Sequence, residues 1–292
     1  VIAVAEGTLD VKAVGEEAYR MIGRTPGSIT AVRPLADGVI ADYTLTERML
    51  KAFLGRVLTG AGRFLRPTIM VCVPSSITEV ERRAVLQALN DVGARKALLI
   101  DEPVAGAIGA GIDVAKPFGS MVIDMGGGTT DVAMISLGGI VVSESVRTAG
   151  NQFDQNIAAW VKDRHNLLIG ERTAEEIKRT VGAATIDSDD EVRYIDVRGR
   201  DLIDGMPKTV RVSTHDVIEA IEASLEWVAV ALRRVLEKAP PELVGDAIDR
   251  GIVMVGGTSQ LRNVDRYLSV VSGIPVFVAD DPEDCVVVGT SR

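Results

Sequence analysis

The sequence predicts an α/β protein in two lobes, each built on its own sheet. Length is the first reason: 292 residues exceed one ordinary domain and can bury two moderate cores without disulfides. A second is the run of strand Thr68–Val73, helix Thr78 to Val92 and strand Ala97–Ile100, whose spacing calls for a parallel sheet. The third is a change of pattern at Met121. From there a strand, a glycine turn, a strand, a tight turn at Gly138 and Gly139, and a strand through Val146 form a meander with no helix between, so a second sheet begins.

The elements follow in order. Val1 to Val4 reads as a strand already under way and Val286 to Arg292 as a helix cut short, so the sequence is expected to be a fragment. Met49, Leu50, Phe53, Leu54, Val57 and Leu58 keep helical spacing, and Thr44 with Glu47 is expected to close a capping box before them. Thr78 with Glu81 opens the next helix and Gly93 ends it; Thr173 with Glu176 is expected to open another through Val181, after a helix from Phe153 to His165. The acidic run Asp187 to Glu191 reads as a solvated loop. Val192–Val197 and Thr209–Val212 bracket a turn-rich stretch as a hairpin in a smaller subdomain. After Ser213 comes a long helix with Val217, Ile221, Leu225, Val228, Leu232 and Val235 at core spacing, then a strand Ile252–Val255, a Gly256–Gly257 turn, a helix after Asn263 and a strand Pro275–Val278.

Composition excludes several classes of function. With 47% hydrophobic and 25% charged residues the chain is of the soluble globular kind. Met121 to Val142, the best candidate for a membrane span, is broken by Asp124, Gly126–Gly128 and Asp131, so no transmembrane helix is expected. A net charge of −9 argues against a grip on nucleic acid. Cys72 and Cys285 lie far apart without metal-site spacing and read as buried thiols of a reducing compartment, the cytoplasm. Neither His165 nor His215 has a partner at metal spacing.

Three stretches could carry chemistry. Asp124-Met125-Gly126-Gly127-Gly128-Thr129-Thr130-Asp131 lies between strands, where consecutive glycines let backbone amides close on a phosphate and Thr129 and Thr130 add hydroxyls. Asp124, at a strand end beside that cradle, suits magnesium held through water. No Gly-Lys-Ser or Gly-Lys-Thr exists for a P-loop, and the glycines lead into a strand rather than the helix of a dinucleotide fold. Ile100 to Gly109 is a strand ending in Asp101 and Glu102 followed by a helix with Pro103 in its first turn. An acid there can activate water, or simply cap the helix. Val253 to Leu261 places Gly256, Gly257 and Thr258 after a buried strand, which admits a flat purine or is an ordinary turn. A fourth stretch, Arg63-Phe64-Leu65-Arg66, sets two apolar side chains between arginines and can dip into an anionic bilayer or fold back into the core.

In this order the first three stretches resemble the second phosphate loop, connecting helix and adenosine loop of the actin, sugar-kinase and heat-shock-chaperone ATPases. Gly23-Arg24-Thr25-Pro26-Gly27, Val71-Cys72-Val73-Pro74, Asn166 through Lys178, Val197 through Leu202, Pro240-Pro241-Glu242-Leu243 and Gly273-Ile274-Pro275-Val276 are similar to the MreB family of bacterial actins, over essentially the whole sequence. The resemblance implies an actin-like fold with ATP and Mg2+ between two lobes. Residues 1–32 would form an incomplete small subdomain, 33–107 with 277–292 the main part of the first lobe, 108–146 with 208–276 that of the second, and 147–207 its small subdomain.

By the same resemblance, Glu102 positions the hydrolytic water and Thr129 assists at the γ-phosphate. Asp124 serves magnesium through water, and Gly126–Gly128 with Thr130 hold the phosphates. Gly150, Glu175, Lys178, Gly256, Gly257 and Thr258 surround the nucleoside, Glu175 and Lys178 alternatively being a surface ion pair. Phe64 and Leu65 would meet the membrane. The implied protein polymerises with itself into double filaments, on the inner membrane face, with cell-wall elongation proteins such as RodZ as partners, and hydrolyses ATP slowly to keep rod shape. A monomeric chaperone-type or sugar-kinase-type ATPase and a non-hydrolysing paralogue are the alternatives. The family's first phosphate loop has no counterpart in these residues, so weak ATP binding is expected of them alone. Thr258 replaces a glycine and is expected to crowd the purine; Asn151 replaces an Asp and removes a charge near the ribose.

Overall fold

The computed structural model describes residues 1–36, 38–58 and 66–292. These fall into two units, Val1–Val73 with Ile77–Ile100, and Pro74–Ser76 with Asp101–Arg292.

In the first unit, β1 (Ile2–Ala5) lies between β2 (Val11–Val14) and β3 (Ile29–Val32), antiparallel to both. Strand alternation sorts its side chains: Ile2 and Val4 join Val14 against Leu45 and Met49 of α2 (Tyr43–Val57), while Ala3 packs with Ala13 and with Ala18 of the short α1 (Glu16–Tyr19). Helix α2 has the expected period, but Phe53 and Val57 are exposed. Its cap differs from expectation. Asp42 Oδ1 accepts from the Leu45 amide at 2.9 Å, so the helix begins before Thr44, and Glu47 pairs with Lys51 instead. A two-strand hairpin, β4 (Leu35–Ala36) and β5 (Val39–Ile40), precedes it. Strands β6 (Thr68–Val73) and β7 (Lys96–Asp101) pair around α3 (Glu79–Asp91). Here the capping box forms: the Thr78 amide donates to Glu81 Oε2 at 2.8 Å, and the Glu81 amide donates to Thr78 Oγ1 at 3.2 Å.

The second unit carries a five-stranded sheet in the order β10-β9-β8-β14-β15. The meander is β8 (Ser120–Met125), β9 (Thr130–Ser136) and β10 (Gly139–Val146), antiparallel throughout; β14 (Ile252–Val255) runs parallel to β8, and β15 (Val276–Val278) parallel to β14. Strand β8 is buried along its whole length. Met121, Ile123 and Met125 on one of its faces join a core with Phe153, Ile157 and Val161 of α5 (Gly150–His165) and Val228 and Leu232 of α7 (Thr214–Lys238).

A three-stranded sheet of β11 (Leu167–Leu168), β12 (Tyr194–Asp201) and β13 (Pro207–Ser213) follows α5, with α6 (Glu171–Val181) between β11 and β12 in sequence. Helix α6 starts before the expected box: Gly170 is its N-cap and its carbonyl already accepts from the Thr173 amide, which leaves Thr173 and Glu176 inside the helix. The acidic run is not merely solvated, since Asp190 Oδ2 accepts from Arg266 Nη1 at 3.0 Å and from Asn263 Nδ2 at 3.2 Å. Helices α8 (Pro241–Arg250) and α9 (Val264–Ser272) flank β14 in sequence. No disulfide joins half-buried Cys72 and buried Cys285. Among the described residues no helix is long and apolar enough to cross a membrane.

Helix α4 (Glu102–Gly109) is crossed by α10 (Cys285–Ser291) with backbone against backbone. A Cβ on Gly109 would lie 1.8 Å from the Cys285 carbonyl oxygen, and one on Gly289 would lie 1.8 Å from that of Ala105. This contact fixes the helix whose first residue is Glu102. Gly289→Val is expected to cost at least about 1–3 kcal/mol as the helices are forced apart; urea unfolding checks this, and an unchanged midpoint contradicts the close crossing.

Candidate functional site

Every predicted site residue outside 59–65 lies in the second unit; Phe64 and Leu65 fall outside the described residues. Three acids converge. Asp124, near the end of β8, is the cross-strand partner of Asp131 on β9, so the two side chains leave the sheet on one face. They are 6% and 1% exposed. Glu102, half-buried at the head of α4, feels both charges. Burial, then Asp124, then Asp131 push its carboxyl up to about 8; burial and Asp131 push Asp124 up to about 7. The Ser75 amide and hydroxyl donate to Asp131 Oδ1 at 2.9 and 2.7 Å, while the buried Oδ2 has no hydrogen-bond partner among the described residues.

Beside the acids runs the glycine turn. The Gly126 amide donates to the Thr129 carbonyl at 3.0 Å and closes it. Gly126 O in turn accepts from Thr258 Oγ1 at 2.7 Å and from the Gly150 amide at 3.3 Å, and Gly127 O accepts from the Asn151 amide at 2.8 Å. The carbonyls are thus engaged by the start of α5 and by Thr258, whereas the Gly127 and Gly128 amides donate to no described residue. Free amides on a partly exposed turn suit an anion. Thr129 is buried at the end of the loop, and Thr130 faces the other side of β9, its Oγ1 donating to the Thr148 carbonyl at 2.7 Å.

The remaining predicted residues divide. Lys178 Nζ donates to the Gly150 carbonyl at 2.9 Å and lies 2.8 Å from Asp154 Oδ1, which ties α6 to the first turn of α5. Glu175 lies 3.7 Å from Arg179 and Lys178 lies against Asp154, so Glu175 and Lys178 pair elsewhere rather than with each other as their spacing also allowed. Gly256, at φ 88°, passes so near Asp124 that a Cβ there would lie 2.6 Å from Oδ1. Gly257 and Thr258 open the 3-10 turn Gly257–Gln260. The Thr258 hydroxyl, buried, donates to the Gly126 carbonyl and so braces the glycine turn. Sequence reading gave Ser75, Asp131 and Asp154 no role. Asp131 alone carried a signal, its place opposite Asp124 across a turn of known length.

These residues fit a hydrated divalent cation. Two buried acids repel across a strand pair with no lysine or arginine paired to either among the described residues, and one oxygen is left without a donor. Among the described residues no three His, Cys, Asp or Glu groups are placed to hold a metal ion directly.

Strand, glycine turn, strand, two flanking helices and a parallel β14 ending in Gly256 define the nucleotide-side architecture of the actin-like ATPase fold. The structure matches MreB5 of Spiroplasma citri bound to AMPPNP with a TM-score of 0.93 and 35% identity, over 99% of this chain and 86% of that one. It matches the MamK double helical filament at 0.77 and 22% identity, over 95% and 83%, which bears on the fold alone. The MreB/Mbl protein family model matches residues 1–292, and the chain belongs to that family of actin-like cytoskeletal proteins. It is 46% identical over 290 residues to the cell shape-determining protein Mbl of Bacillus subtilis, covering 99% of this chain and 86% of that protein. To the cell shape-determining protein MreB of Escherichia coli K12 it is 48% identical over 284 residues, covering 97% and 81%.

The raised carboxyls set a pH dependence. Folded Glu102 and Asp124 keep protons that the unfolded chain has already lost, so their contribution to stability is present at low pH and fades as pH rises through about 7 and about 8. Without divalent cations, the melting midpoint should fall from about pH 5 to about pH 8.5, and fall less in Glu102→Gln. Equal slopes for the two proteins in scanning calorimetry contradict the assignment.

Proposed function

We propose that the chain binds ATP with magnesium and uses its slow hydrolysis to switch filaments built from copies of itself. The observation that carries this reading is the pair of undonated amides at Gly127 and Gly128, set beside Asp124 and Glu102 on rigid elements. Nucleotides bound to relatives, AMPPNP and ADP in MreB5 of Spiroplasma citri, support it.

In this reading the amides of the turn hold phosphoryl oxygens, as Gly126 and Gly127 have their carbonyls fixed from behind by Thr258, Gly150 and Asn151. Magnesium, held through water by Asp124, would supply charge neutralisation on those oxygens. Glu102 orients the attacking water and accepts its proton. A carboxyl pushed up to about 8 is a stronger base than an ordinary glutamate once ionised, and burial keeps its position fixed. Thr129 assists at the terminal phosphate. Gly256, Gly257, Glu175 and Lys178 border the nucleoside.

The proposal extends to the cell. Double filaments of the chain lie on the inner face of the membrane, touching it with Phe64 and Leu65, and guide cell-wall synthesis and rod shape with elongation proteins as partners. The names of the curated relatives support the cytoskeletal part of this.

The experiment is ATP-dependent sedimentation and electron microscopy of the protein expressed from its own gene, beside Glu102→Ala. Pelleted filaments whose phosphate release drops at least about a hundredfold in the variant are expected; a soluble monomer, or unchanged release, contradicts the proposal. Thr258→Val removes the brace on the turn, a loss of about 1 kcal/mol, and should weaken AMPPNP binding about fivefold in calorimetric titration. Unaltered affinity would mean that the brace does not shape the phosphate site.

A further inference from the structure

The phosphate turn does not account for Asp131. Its side chain is 1% exposed, directly opposite Asp124 across the β8–β9 pair, and near enough to Glu102 to raise that carboxyl. Like charges opposite one another on a strand pair are destabilising, and buried ones more so. An ordinary buried acid escapes that cost through a basic partner, but no lysine, arginine or histidine pairs with Asp131 among the described residues. What the fold supplies is one-sided. Ser75 gives two donors to Oδ1, which fixes the orientation of the carboxylate, and Oδ2 receives none from the described residues. A purely structural clamp would have no reason to leave a buried oxygen without a donor among the described residues.

We propose that Asp131 Oδ2 accepts a hydrogen bond from the water shell of a divalent cation that it shares with Asp124, so that Asp131 is the second carboxylate of the cation site and Ser75 is its positioning residue. A hydrated dication brings both things missing here, positive charge between opposed carboxylates and O–H donors for an unpaired oxygen. The inference rests on the nucleotide and cation reading of the site and adds a residue to it.

The test uses the full chain with ADP and Mn2+ as probe, reading free Mn2+ by electron paramagnetic resonance and the melting midpoint by calorimetry. Asp131→Asn is expected to bind Mn2+ at least about tenfold more weakly. Its cation-free melting midpoint should stay or rise, because the repulsion is relieved while Ser75 still has an oxygen to bond. Asp131→Glu should keep tighter Mn2+ binding than the Asn variant, and Asp131→Ser serves in its place, with the same expectation, if Asp131→Asn fails to fold. Wild-type Mn2+ affinity in Asp131→Asn, with or without a lower melting midpoint, overturns the inference and leaves the site's reading standing. If the unaltered chain takes up no Mn2+ with ADP, that reading fails and the inference fails with it.

Discussion

Acids buried together without a basic partner among the described residues are the constraint around which the second unit is organised. Asp124 and Asp131 face each other across the central strand pair, Glu102 stands at the head of the neighbouring helix, and burial, with the neighbouring acids, raises the carboxyls of Glu102 and Asp124. Such an arrangement lowers the stability of the fold in isolation. It persists because the surroundings leave it no room to relax. Strand β8 is buried on both faces, Ser75 grips Asp131, and α4 is locked by a crossing with α10 that admits only glycine at Gly109 and Gly289. Strain of this kind is what a site acquires when a ligand completes it.

The glycine turn shows a related division of labour. Its carbonyls are consumed by Thr258 and by the amides that open α5, and its outward amides are left over. The chain therefore offers free amide donors at the turn and acids at the strand ends beside it, the complement of a polyanion carrying a hydrated cation. Three stretches distant in sequence meet to make this arrangement: the β8–β9 turn, the start of α5 with Lys178 behind it, and the turn after β14. No one of them would suffice, which is why each alone also permitted an ordinary structural reading.

Much of this was legible in the sequence because it depends on local periodicity and turn chemistry. The meander from Met121 to Val146 follows from alternation broken at glycine turns, and the box at Thr78 and Glu81 from the motif itself. The same motif misled at Thr44 and Thr173. Threonine followed by glutamate three residues on also occurs inside a helix, and Asp42 and Gly170 had taken the cap first. The pairing of Ser75 with Asp131 spans 56 residues and has no local signature. Nor has the α4–α10 crossing, where glycines needed for close approach look like any others. The hydrogen bond from Thr258 to the Gly126 carbonyl joins turns 132 residues apart and likewise has no local signature, since only the size of Thr258 is visible in a sequence.

The central claim is that an arriving cation and nucleotide satisfy the buried acids, and proton release measures this directly. Calorimetric titration of the nucleotide-free chain with magnesium–ADP near pH 7, repeated in buffers of different ionisation enthalpy, counts the protons given up on binding. With Glu102 and Asp124 raised to about 8 and about 7, the account predicts a net release of order one proton that shrinks in Glu102→Gln. Binding with no proton release at that pH would contradict it.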